Sequence, residues 1–345
     1  MADPDAGRGL RRWLTPTLAA VVVVGTFTIV LPRFADYGDV VDTLSSVGAW
    51  WVLALVGAAV LNVATFAPNW MAALPGLSYR RSLRVTLAGT AIANLAPLGG
   101  AVSMGVQYAM FRSWGFERRA SSRAMVVTGV WNNLVNLALP LVGLIVLTLR
   151  GGRNAALMVA ARIGAVVFVV VLGAFVAVLR SDAGAQWVGD TADRARNLAR
   201  RIRGRTPTGG LGRTLQQFRS DSIELLRARW FALTITTLIG VLTVFVALAV
   251  AVRAVGIPGA QITMAEAFAA WAGTRLLSTA IPVTPGGLGI VDVGLTTALT
   301  GFGGSTDAVV AAVLLYRLTT WLPPVVLGAF AGFGWRRRAA EPPDR

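Results

Sequence analysis

Long apolar runs alternate with short arginine-bearing segments along this chain. Runs at about Thr17–Leu31 (stopped by Pro32), Trp50–Phe66, Met125–Leu149, Leu157–Leu179, Trp230–Val252 and Val309–Phe333 read as membrane spans, a helical crossing needing about 20 residues. Two further apolar stretches are interrupted. Val85–Trp114 is broken by Asn94-Leu95-Ala96-Pro97-Leu98-Gly99-Gly100, and Ala265–Gly301 by Thr284-Pro285-Gly286-Gly287-Leu288-Gly289-Ile290-Val291-Asp292. Gly admits φ > 0 and Pro removes a backbone donor. Either half of the first stretch is too short to cross, so both stretches read as re-entrant hairpins. Broken backbone at membrane depth is tolerated only where protein buries it or a polar cavity wets it, which makes the Thr284–Asp292 turn the leading candidate for a working site.

The predicted fold is an all-α polytopic membrane protein with six full spans plus two broken re-entrant hairpins. Residues 1–345 form one integral membrane domain. Each half reads span, span, hairpin, span, giving repeat one over about 14–150 and repeat two over about 155–335. The first span leaves the cytoplasm and the fourth returns to it, so the repeats are inverted, the architecture of alternating-access carriers. Between spans four and five, residues 180–229 form a basic cytoplasmic loop. Within it, Trp187–Ile202 and Leu215–Leu226 carry helical apolar spacing suited to the membrane surface, joined by Gly204–Gly212. The Gly-Arg-Thr-Pro-Thr-Gly-Gly of that link lacks the Lys-Ser/Thr ending of a phosphate loop and no strand precedes it.

Composition narrows the chemistry. Hydrophobic residues make up 55% and charged ones 14%, with mean hydropathy +0.65, as a chain living mostly in lipid requires. Cys, His and Lys are all absent, which excludes thiolate or imidazole zinc sites, Cys or His nucleophiles and Schiff bases. The net charge of +16 is an orientation signal rather than a nucleic-acid footprint. With both termini cytoplasmic, 25 arginines fall inside and five outside (Arg33, Arg150, Arg153, Arg162, Arg253), following the positive-inside rule. Arg8, Arg11 and Arg12 precede Val21–Val30 with no cleavage site after it, so that run reads as a retained span of a multi-pass cell-membrane protein. No cofactor is implied.

Arg275 and Arg317 fall within the membrane, as does Asp292, while Glu266 lies near the hairpin entrance. A charge at the bilayer centre costs at least about 2.5–3.5 kcal/mol, so these groups need pairing, water or a ligand. Trp271 lies four residues before Arg275 and Trp321 four after Arg317, a helical spacing suited to cation–π contact. In the functional reading, the two arginines hold a lipid phosphate bidentately beside Pro285, Gly286, Gly287 and Gly289. Exposed turn amides add donors, and Asp292 balances the arginines when the site is empty. In the structural reading, an Arg–Asp bridge fastens the hairpin to the last span. Asn94, Gln107, Asn132, Asn133 and Asn136 are the polar residues of the first half, where interhelical hydrogen bonding accounts for them.

Together these residues resemble the membrane domain of the lysylphosphatidylglycerol synthase/flippase family. Pro285-Gly286-Gly287-Leu288-Gly289 with Asp292, where the family usually has Glu, then Leu315-Tyr316-Arg317-Leu318 and Trp321-Leu322-Pro323 carry the resemblance. In the first half Pro97 and Gly100 fit loosely. Gly99 and Ala101-Val102 stand where the family tends to show an Arg and a Gly-acid pair, and Trp131-Asn132-Asn133 where an Arg and an acid are common. The resemblance implies a non-enzymatic translocator of an anionic lipid or lipid-linked glycan, with Arg275, Arg317, Asp292, Tyr316, Trp271, Trp321 and the turn as its site. Its longest loop leaves no room for a soluble aminoacyl-transferase domain. The alternative is a membrane scaffold recruiting a cell-envelope lipid or glycan enzyme through its basic loop. A lipid-modifying transferase would need a second intramembrane carboxylate beside Asp292.

Overall fold

The computed structural model describes residues 37–95, 99–149, 155–202, 206, 209–280, 285–287 and 289–339. The expected first span, Thr17–Leu31, lies outside these residues, as do 96–98 of the first break and Thr284 and Leu288 of the second. Every regular element among the described residues is helical. In order they are α1 (Tyr37–Ser45), α2 (Ala49–Ala73), α3 (Tyr79–Leu95), α4 (Gly99–Ser113), α5 (Arg118–Leu149) and α6 (Ala155–Arg180). Then come α7 (Asp182–Ile202), α8 (Leu211–Ala254), α9 (Met264–Ala280), a 3₁₀ turn at Pro285–Gly287, α10 (Ile290–Gly301), α11 (Thr306–Thr320) and α12 (Leu322–Ala339).

Among the described residues, four stretches are long and apolar enough to cross a bilayer: Ala49–Ala73, Arg118–Leu149, Ser222–Ala254 and Thr306–Gly332. Exposed Val166, Val169 and Val170 on α6 add an outward apolar face. The protein is therefore a multi-pass helical membrane protein. Three boundaries differ from the sequence reading. Leu215–Leu226 is not a separate surface helix but the first turns of α8, because Leu226-Arg227-Ala228-Arg229-Trp230 contains no Gly or Pro to stop it. The last span is two helices meeting at Trp321, since Pro323 and Pro324 cannot donate back to the preceding turn. And α2 continues past Phe66 through Pro68 to Ala73.

Small and polar residues join the helices. The α2–α8 seam carries Thr65 Oγ1 to Thr243 Oγ1 at 2.9 Å and Thr237 Oγ1 donating to Asn69 Oδ1 at 3.2 Å. Gly328 of α12 sits so close to α3 that a Cβ there would collide with the Leu87 carbonyl and lie 2.6 Å from Ala91 Cβ. Such small-residue contacts replace the hydrophobic drive that lipid does not supply.

One buried cluster joins Val85 of α3, Met110 and Phe111 of α4, Ala124 of α5 and Leu225, Leu226 and Leu233 of α8. It draws the start of α3, the end of α4, the start of α5 and the first half of α8 to one end of the molecule. Arg80, Arg81, Arg84, Arg112, Arg118, Arg119 and Arg123 are therefore gathered at that end. A second cluster, around Leu248, Trp271 and Leu295, holds α8 to α9, α10 and α11.

Candidate functional site

The second break is built on three left-handed glycines, Gly286 (φ 59°), Gly287 (φ 67°) and Gly289 (φ 84°). A side chain at such angles is strained, and only Gly visits them freely. Pro285 opens the turn. The turn aims two carbonyls at α11: Arg317 Nη1 donates to Gly286 O at 3.2 Å and Nη2 to Gly287 O at 3.1 Å. The same guanidinium grips Asp292 on two points, Nε to Oδ1 at 2.5 Å and Nη2 to Oδ2 at 3.1 Å. Asp292 sits in the first turn of α10 and its Oδ2 also accepts the Gly289 N–H at 2.9 Å, half of a capping box. With side chains only 11% and 13% exposed, the pair is largely desolvated. The structural bridge anticipated from the sequence is thus present. The expected donor role of the turn amides is not met at Gly289, whose N–H Asp292 already occupies.

Arg275, on α9, is held differently. Its Nε donates to Asn136 Oδ1 of α5 at 3.0 Å, and its Cζ lies 5.2 Å from the Trp271 ring centroid. Tyr316, buried on α11, is a further polar neighbour of the guanidinium. Trp271 is fully buried and packs against Phe245 and Phe268, with centroids at 5.5 and 5.6 Å. One of the two expected Arg–Trp stacks is therefore found. For Arg317, Asp292 and the turn carbonyls take the guanidinium instead. The Trp321 indole lies beside Gly286, where an added Cβ would sit 3.0 Å from its Nε1 and 3.0 Å from Asn94 Oδ1.

These residues share a cavity of about 410 Å³. Its walls include Arg275, Gly286, Tyr316, Arg317 and Trp321 from the second half, with Thr86, Thr90, Asn94 and Asn132 from the first. Thr86, Thr90 and Asn94 repeat every four residues on α3, a polar stripe on one helical face. That spacing is legible in the sequence, but the charged residues alone do not point to Thr86 and Thr90, which line the cavity beside them. A smaller cavity of about 220 Å³ adjoins it through Phe66, Thr86, Thr90 and Asn132 and extends to Gln107. Asn133 is instead exposed and bonds the Gly129 carbonyl one turn back. Glu266 caps α9, its Oε2 accepting the Thr263 N–H and hydroxyl, both at 2.8 Å.

Among the described residues no group of three or more acidic side chains is placed to hold a metal ion. What the cavity offers is two guanidiniums, hydroxyls and amides, a donor set for an oxyanion. The family model described as the lysylphosphatidylglycerol synthase TM region matches residues 17–328. The chain belongs to this family. Among curated proteins nothing matches the chain. Membership and the helical architecture together make it an integral membrane protein of lipid-related processes. The match spans both broken segments, so the family pattern covers the whole cavity.

Proposed function

We propose that this protein flips an anionic lipid or lipid-linked glycan across the cell membrane, with Arg275 and Arg317 as ligands of the headgroup phosphate. One observation carries the reading: both arginines and the tip of the second break open into a single cavity that polar residues of the first half complete. Asp292 neutralises Arg317. An arriving phosphate competes for the same guanidinium, and release restores the bridge. Arg275, stacked on a buried indole and oriented by Asn136, supplies the second charge.

In this reading α3–α4 and α9–α10 are re-entrant hairpins of two inverted repeats whose tips meet at the cavity. Two features support it. Each pair packs together across its break, and the second turn packs against α3. Both termini face the cytoplasm, the side to which the gathered arginines of α3, α4, α5 and α8 belong under the positive-inside rule.

The test is transport in proteoliposomes with a labelled anionic phospholipid. Arg275→Ala, and separately Arg317→Ala, should abolish translocation while the purified protein still runs as a folded species. Unchanged transport in both variants would sink the assignment. A scaffold role for residues 180–229 is the second reading, favoured by Trp187 and Leu198 standing 63% exposed on α7. It requires that replacing this segment removes function while the arginine variants do not.

A further inference from the structure

The two adjoining cavities differ in character. The larger holds both guanidiniums, whereas the smaller is lined by uncharged polar groups, among them Asn69, Gln107, Thr128 and Asn132, together with Trp70. None of the described residues lining either cavity is Asp or Glu. The carboxylate bonded to this region, Asp292, lines neither cavity and bonds Arg317 and the Gly289 N–H. Among the described residues, two buried polar atoms of the lining have no hydrogen-bond partner: Thr86 Oγ1, on the wall common to both cavities, and Trp321 Nε1 in the larger. Space for Gln107 comes from Gly89, since any Cβ at 89 would collide with its amide.

Building on the phosphate reading above, we infer that the smaller cavity is a headgroup subsite for a neutral polyhydroxyl group, such as a sugar or a cyclitol, and that it disfavours a cationic aminoacyl group. A hydroxyl both donates and accepts, so it matches a lining that mixes amide and hydroxyl groups, and it satisfies the unpaired Thr86 hydroxyl. The indole of Trp70 adds apolar surface to this lining, which suits the C–H groups of a ring. An ammonium would enter a space with two nearby guanidiniums and no carboxylate in its lining, leaving a desolvated charge uncompensated. A phosphate at Arg275 and Arg317 with its polyol in the smaller cavity fits the common wall of Phe66, Thr86, Thr90 and Asn132.

The experiment offers the purified full chain an equimolar mixture of phosphatidic acid, phosphatidylinositol and lysylphosphatidylglycerol with matched acyl chains, in phosphatidylcholine vesicles. Lipid retained by the reisolated protein is quantified by mass spectrometry. Phosphatidylinositol should be enriched over phosphatidic acid by roughly three- to tenfold, the effect of one or two net hydrogen bonds, and lysylphosphatidylglycerol should not exceed phosphatidic acid. Gln107→Leu and Thr86→Val should each lower the inositol-to-phosphatidic ratio, and Thr86→Ser, which restores the hydroxyl, should keep it. A ratio of one in the unmodified protein, or enrichment of the lysyl lipid over the inositol lipid, overturns the inference. Arg275→Gln separates it from the phosphate reading. If retention of both anionic lipids falls but their ratio was already one, only the subsite is lost. If the inositol preference persists and retention is undiminished, the phosphate ligand is wrong and the neutral subsite stands.

Discussion

Arg317 and Asp292, on different helices and 25 residues apart, close a two-point bridge at 2.5 and 3.1 Å that also ties down the glycine turn between the halves of the second break. Removing one partner leaves a largely buried charge behind, so Arg317→Gln or Asp292→Asn alone should cost about 3–5 kcal/mol. The double variant should recover much of that loss. A double-mutant cycle on thermal unfolding in detergent checks it, and additive single effects would show that the pair is not coupled.

Gly286 tests the backbone of the turn. Gly286→Ala demands φ near 59° from a residue with a Cβ and places that atom between Asn94 and Trp321. The expected cost is about 1–3 kcal/mol, with a fall in lipid translocation larger than stability alone explains. Wild-type transport at reduced stability would make the turn structural only.

The contact of α12 with α3 depends on Gly328. Gly328→Leu has no room against Leu87 and Ala91 and should lower the unfolding midpoint or prevent assembly. Gly332→Ala, with no atom within 4 Å of the added Cβ, should leave it unchanged. Size-exclusion profiles and midpoints of the two variants give the comparison.

Arg275 is held by Asn136 and Trp271 in a way an ammonium cannot copy. Arg275→Lys keeps the charge but loses the guanidinium contact with the Trp271 ring and the directed Nε bond, so translocation should drop several-fold, short of the loss in Arg275→Ala. Asn136→Leu should produce a similar partial loss through the arginine's orientation. Full activity in Asn136→Leu would show that Arg275 needs no support from α5.

Thr263 and Glu266 cap α9 away from the cavity. Thr263→Ala should cost about 1 kcal/mol of stability and leave translocation as it was, measured in the same vesicles.

Much was legible without coordinates. The helical class, the two breaks in it and the pairing need of Arg275, Asp292 and Arg317 follow from local chemistry: apolar length, Gly and Pro punctuation, and the cost of burying a charge. Where sequence and structure differ, the sequence signal is weak or non-local. Leu226–Trp230 lacks the Gly or Pro that would stop a helix, but its two arginines read equally well as a loop, so the length of α8 was decided by the fold. The Trp321 spacing allowed a stack on Arg317, but a carboxylate in a desolvated site outcompetes a ring face for a guanidinium.

The sequence alone determined that this chain lives in the membrane as helices and that Arg275, Asp292 and Arg317 must find partners there, because burial energy is a property of each residue. Which partners they find was decided by tertiary structure. Asp292 went to Arg317 and Asn136 to Arg275, and α3's Thr86–Thr90–Asn94 stripe was brought opposite both arginines. Pairings across 25 and 139 residues depend on how helices cross, and helix crossing is set by small-residue contacts such as Gly328 on Leu87 that no local pattern encodes.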